Sequence, residues 1–144
     1  MTKYINYYGN GNPASESWKN DAGEFHREDG PAVTRFYENG NIRNKCWFID
    51  NKYHRKDGPA YIGFDYDHGY IEDESWYIHG KLHREDGPAT ILLNMLHGIN
   101  DEYWYINGHE ITDEVNEWIK KHNLPDWNEW SNKEKALFKL KFVN

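Results

Sequence analysis

The chain has 144 residues, 38% of them hydrophobic and 17% aromatic, with a formal net charge of −7. That length suffices for one domain with its own core. The acidic balance, with Lys and Arg scattered among the acids, argues against a binder that works by neutralising nucleic-acid phosphates.

A mean hydropathy of −1.05 would by itself suit a disordered chain. Seven Trp, eleven Tyr and six Phe contradict that reading. Large rings bury more surface per residue than aliphatics, so a few can hold a thin fold together. A folded, shallow, sheet-rich protein is expected. The one cysteine, Cys46, has no partner for an intramolecular disulfide, which suits a reducing compartment. No apolar run approaches the roughly 18 residues of a membrane span, and Met1 to Asn6 lacks the features of a secretory signal. The expected address is the cytoplasm, with no membrane partner.

In chain order, one heptapeptide organises everything. His26-Arg27-Glu28-Asp29-Gly30-Pro31-Ala32 returns as His54-Arg55-Lys56-Asp57-Gly58-Pro59-Ala60 and again as His83-Arg84-Glu85-Asp86-Gly87-Pro88-Ala89. Such recurrence marks an internal repeat. Trp18, Trp47, Trp76 and Trp104 follow the same period, as do Gly11, Gly40, Gly69 and Gly98. The spacing divides the chain into units 1–32, 33–60, 61–89 and 90–112, the last with Gly108 to Asp113 in place of the heptapeptide.

Within a unit, Ala32 to Tyr37 reads as a strand and Glu38-Asn39-Gly40-Asn41 as a hairpin turn. Ile42 to Ile49 then returns as one strand carrying Trp47. A second turn sits at Asp50-Asn51, matched by His79-Gly80 and Asn107-Gly108. Two strands per unit give a mainly β fold, an antiparallel meander of four hairpin repeats advancing about 10 Å per unit. Trp18, Trp47, Trp76 and Trp104 are expected to form a row in the structural core. Residues 113–144 are expected to form a helical cap packed on the last repeat. Thr112 is read as the cap of a helix ending near Asn123-Leu124-Pro125, and Ser131 with Glu134 as a capping box for a second helix through about Leu140.

The heptapeptide supports two readings. Asp-Gly-Pro is turn chemistry, and Arg and Asp in one loop can pair, which makes the row a scaffold. Alternatively it is a binding row: His26, Arg27, Asp29, His54, Arg55, Lys56, Asp57, His83, Arg84 and Asp86, with guanidinium forks turned towards carboxylates or phosphates. Lys56 makes the middle loop the most basic. Rows about 10 Å apart cannot converge on one metal ion, and no metal motif or Gly-rich phosphate loop appears. No cofactor is called for, and no residue is assigned as catalytic. A hydrolase using a loop His/Asp pair would need one specialised copy, whereas the three copies are near-identical.

Trp76-Tyr77-Ile78-His79-Gly80-Lys81-Leu82-His83 is similar to the run of Trp, turn Gly, Lys and His in the MORN repeat. The chain resembles a divergent MORN-like protein, with a longer period and with Asp-Gly-Pro-Ala replacing a Gly-x-Gly element. The longer unit, with its His-Arg-Glu-Asp-Gly-Pro-Ala signature, resembles repeat proteins of large phages and giant viruses. The resemblance covers about 1–112. It implies an elongated β-meander and an interaction scaffold. The function expected first is a non-enzymatic binding module of phage or viral origin that binds and modulates a host protein in the host cytoplasm. The second is a sponge that sequesters a phosphate-bearing nucleotide through the Arg row, and the third the small hydrolase. An open meander with a bare aromatic face also offers a route to a homodimer.

Overall fold

A computed structural model describes residues 1–98 and 100–144. In chain order the strands are β1 Thr2–Tyr7, β2 Pro13–Lys19, β3 Val33–Phe36, β4 Ile42–Cys46, β5 Phe48–Ile49, β6 Lys52–Tyr53, β7 Tyr61–Phe64, β8 Ile71–Ser75, β9 Tyr77–Ile78, β10 Lys81–Leu82, β11 Thr90–Leu92, β12 Asp101–Tyr103, β13 Tyr105–Ile106 and β14 His109–Glu110. Eight of them form one antiparallel sheet, ordered β1-β2-β3-β4-β7-β8-β11-β12. The other six pair as the small hairpins β5-β6, β9-β10 and β13-β14. The chain is therefore mainly β, built on a large antiparallel sheet, and among the described residues helix is confined to the C-terminal part.

The glycine turns behave as turn chemistry requires. Gly11 and Gly40 take φ of 87° and 90°, which a side chain would resist. Asn10 and Asn39 each accept the amide of the residue two ahead, and their side-chain amides donate to Glu38 and Tyr66 carbonyls in the next turn along. Tyr8 and Tyr37 hydroxyls donate to Phe36 and Phe64 carbonyls at 2.7 and 2.9 Å. Each turn is thus fastened to its successor by polar side chains.

The strand expected over Ile42 to Ile49 is broken at Trp47. Its N–H donates to the Ala60 carbonyl at 2.8 Å, and its carbonyl accepts the His54 N–H at 3.1 Å. Trp18 is held in the same way between Ala32 and His26, and Trp76 between Ala89 and His83. Both polar groups of each tryptophan backbone are used by the two ends of one heptapeptide loop. At Trp47 and Trp76 the chain leaves the sheet and folds into a small hairpin, whereas Trp18 stays within β2, paired with Lys3 of β1.

The small hairpins follow one another as a second row. The Arg55 N–H donates to Tyr77 and the Arg84 N–H to Tyr105, at 3.1 and 3.2 Å. Their rings run in a file, with centroids 5.6 Å apart for Phe25–Phe48, 4.3 Å for Phe48–Tyr53 and 4.9 Å for Tyr53–Tyr77. Tyr53 also donates its hydroxyl to Cys46 Sγ, and burial pushes the Cys46 thiol up. This file covers one face of the sheet beside Cys46 and Tyr61.

Helix α1 spans Thr112–Lys121 and α2 spans Asn132–Phe138, the latter continuing into a π-helical turn at Lys139–Val143. The Ser131–Glu134 capping box is present. Thr112 does not cap α1. Its hydroxyl accepts the Trp104 N–H at 3.0 Å, the role that an Ala carbonyl plays for the other tryptophans, because the last stretch has no heptapeptide.

The expected core row of four tryptophans needs correcting. Only Trp104, 2% exposed, lies in the buried cluster, with Ile106, Val115, Trp118, Trp130 and Phe138. Trp18, Trp47 and Trp76 are half-buried. The C-terminal helical part packs on the last hairpin and the third loop, so the apolar core sits at one end of the sheet. At the other end β1 is exposed along its whole length. It is blunted as an open edge by Lys3 and by a register shift at Asn6/Tyr7.

Candidate binding site: the heptapeptide loop row

Each heptapeptide is a loop closed at both ends on one tryptophan backbone, and its arginine lies over that tryptophan ring. The guanidinium carbons of Arg27, Arg55 and Arg84 stand 4.8, 4.1 and 4.0 Å from the centroids of Trp18, Trp47 and Trp76. In each loop Nε donates to the aspartate two residues on, Asp29, Asp57 or Asp86, at 2.7, 3.0 and 2.7 Å. In the second and third loops Nη1 also donates to the carbonyl of Pro59 or Pro88, at 3.2 Å. The arginine hydrogen bonds hold Asp29 and Asp57 below the usual carboxylate range.

The glycine follows from the arginine. A Cβ on Gly58 would lie 2.9 Å from the Arg55 guanidinium carbon, and one on Gly30 would lie 3.1 Å from that of Arg27. The backbone approaches the guanidinium too closely to admit a side chain. Arg, Asp and Ala therefore recur because each makes a contact that closes the loop, and Gly because the guanidinium leaves no room for a side chain.

The histidines join neighbouring units. His54 Nδ1 accepts the His79 N–H at 3.1 Å and His83 Nδ1 accepts the Asn107 N–H at 3.0 Å. His79 and Asn107 both take φ of 50°, so each imidazole braces a left-handed turn of the next hairpin. An accepting Nδ1 places the proton of the neutral ring on Nε2. His26 Nδ1 likewise faces the N–H of Asp50, at 3.4 Å and with φ of 48° at Asp50, and in addition lies 2.7 Å from the Asp50 carboxylate. No loop pairs its histidine with its own aspartate, since the aspartate is taken by arginine. Among the described residues no His, Cys, Asp and Glu group is arranged to hold a metal ion.

Burial, then the neighbouring His79 and Lys56, push the His54 pKa down from its ordinary 6.5. A lowered folded pKa means that the unfolded chain binds the proton more readily, so stability contributed here is lost as pH falls below about 6.5. Urea midpoints are expected to fall between pH 7 and pH 5, and His54→Gln is expected to flatten that slope. Gln keeps an acceptor for the amide but does not titrate. Unchanged slopes would show that the imidazole proton is immaterial to the brace.

Between the loops lie two open grooves. The first, about 740 Å³, is floored by Trp47 and Ile49 and flanked by Arg27 and Arg55. The second, about 780 Å³, is floored by Trp76 and Ile78 and flanked by Arg55, Arg84 and Lys139. Lys56 borders both, is exposed, and makes no ion pair among the described residues.

The third loop is covered. Trp127, in a short 3-10 turn Trp127–Glu129, lies 4.9 Å from the Arg84 guanidinium and against the Gly87 backbone, and its indole N–H donates to Glu102 at 2.9 Å. Lys139 pairs with Glu85 at 3.5 Å. Gly87 and Pro88 are buried, whereas Gly30, Pro31, Gly58 and Pro59 are only half-buried. Trp127 lies within residues 113–144, which the sequence assigns only to a helical cap. Its place on the third loop carries no signal in periodicity, because it comes from outside the repeating stretch. Compared with protein-family models, with curated proteins and with solved structures, the chain matches none of them.

Proposed function

We propose that the protein is a non-enzymatic binding module, built of four hairpin units closed by a helical cap, that docks a partner protein along its loop row. The observation carrying this reading is the duplicated groove: two adjoining clefts of about 740 and 780 Å³ with the same Trp-and-Ile floor. A repeated cleft suits an extended polypeptide better than a reaction centre, which needs one specialised constellation. The resemblance to viral and phage repeat proteins makes the proposed partner a host protein, met in the host cytoplasm. The nucleotide sponge receives less support, because the three arginines already spend Nε on aspartate and a face on tryptophan.

The test is affinity capture from host lysate with the parent and with a Lys56→Glu/Ile78→Ser variant, after circular dichroism has shown that both fold. The expected result is a stoichiometric protein held by the parent and lost from the variant. Equal capture by both would remove the contact from the loop row.

A further inference from the structure

We infer that the groove between the second and third loops is a slot for a tryptophan side chain presented by an acidic segment of a partner protein. The inference deepens the binding-module reading and rests on it. Its basis is that the chain fills the corresponding place on its own third loop. There Trp127 lies on Arg84 and Gly87 and donates its indole N–H to Glu102.

Each of those elements has a counterpart one unit earlier. Arg55 and Gly58 hold the same mutual geometry as Arg84 and Gly87, with a Cβ on either glycine 2.9 Å from the guanidinium carbon. Glu74 stands two residues before Trp76 as Glu102 stands two before Trp104, and both pair across the sheet with Ile91. Burial pushes the Glu74 carboxyl up, and it makes no side-chain hydrogen bond among the described residues. An indole N–H would supply one. In the first groove the corresponding position is Lys45, which cannot accept a hydrogen bond. The second groove is therefore the one that selects tryptophan.

Charge sets the rest of the ligand. Around this groove Arg55 pairs with Asp57, Arg84 with Asp86 and Lys139 with Glu85, which leaves Lys56 as an exposed cation at the rim. A carboxylate beside the incoming tryptophan would answer it, as Asp126 precedes Trp127 in the segment that covers the third loop.

The test is a titration of the full isotope-labelled chain, followed by amide and indole NMR shifts, with the acetylated pentapeptide Pro-Asp-Trp-Asn-Glu, the sequence of residues 125–129. Saturable shifts at Gly58, Ile78 and the Trp76 indole are expected. Replacing the peptide's tryptophan by alanine should abolish them, and Glu74→Gln should weaken the tryptophan peptide about fivefold while leaving a phenylalanine version unchanged. Absent shifts, or equal shifts with the alanine peptide, would overturn the slot. Shifts at Gly58 that grow with the protein's own concentration before peptide is added would assign the slot to a second copy and overturn the separate partner. Failure of the slot alone would leave capture by the parent, and its loss from Lys56→Glu/Ile78→Ser, intact. Failure of the broader reading would show as capture that the variant retains.

Discussion

Replacing Trp104 by alanine is expected to cost about 3–5 kcal/mol, the range for truncating a buried aromatic core residue. Its ring lies 5.6 Å from Trp130 and 5.1 Å from Phe138, and α1 and α2 close over it. Small domains are stable by only about 5–15 kcal/mol, so the variant should sit at the edge of folding at room temperature. Trp18→Ala should cost markedly less, about 1–2 kcal/mol. Trp18 is half-buried, and a cation 4.8 Å away, not a hydrophobic cluster, lies over its face. Urea unfolding of the two variants side by side decides the matter. Equal losses would mean that the core runs the length of the sheet after all.

The second large effect concerns the arginines, whose substitution should produce a graded loss of stability even though the three loops are almost identical in sequence. Arg84→Ala is expected to cost about 3 kcal/mol, since it removes two aromatic contacts, a charged hydrogen bond to Asp86 and a bond to the Pro88 carbonyl. Arg55→Ala should cost about 2 kcal/mol, with one aromatic contact and both hydrogen bonds lost. Arg27→Ala should cost about 1 kcal/mol, because its stack is longer and, among the described residues, it makes no hydrogen bond to the Pro31 carbonyl. Side-chain exposures of 27%, 25% and 14% for Arg27, Arg55 and Arg84 run in the same order. Lysine should rescue none of them fully, since it lacks the planar group that lies on the ring and bonds Asp and Pro together. Three equal, small losses would return the arginines to the role of free surface forks.

Much of the secondary structure was legible because it is decided locally. Asn39-Gly40 turns because glycine reaches φ of 90° without strain, and Ser131 with Glu134 starts a helix because their side chains serve each other's backbone amides. Runs of β-branched and aromatic residues between turn signals marked the strands of an antiparallel sheet. What misled was equivalence in the repeat. Trp47 looks like the middle of a strand, yet its backbone is claimed by Ala60 and His54, residues of the loop that follows. Thr112 looks like a helix cap, yet its hydroxyl is claimed by Trp104.

The candidate site shows the same division. The sequence named the loop residues, and the pairing of Arg with Asp inside each loop was open to it as a scaffold reading. It had no means of showing that His54 and His83 brace the next hairpin, because that contact joins residues about a unit apart through a turn at positive φ. Nor did it show that Trp127 covers the third loop and leaves the first two open.

By itself, then, the sequence determined the antiparallel sheet, its turns and the recurrence of the His-Arg-x-Asp-Gly-Pro-Ala loops, because short-range sterics and hydrogen bonding settle those within a few residues. Only the tertiary structure decided which copies are buried and which stay open. The three loops carry nearly the same letters, but the helices that supply the apolar cover stand at one end. Position along the sheet, not residue type, therefore separates core from groove.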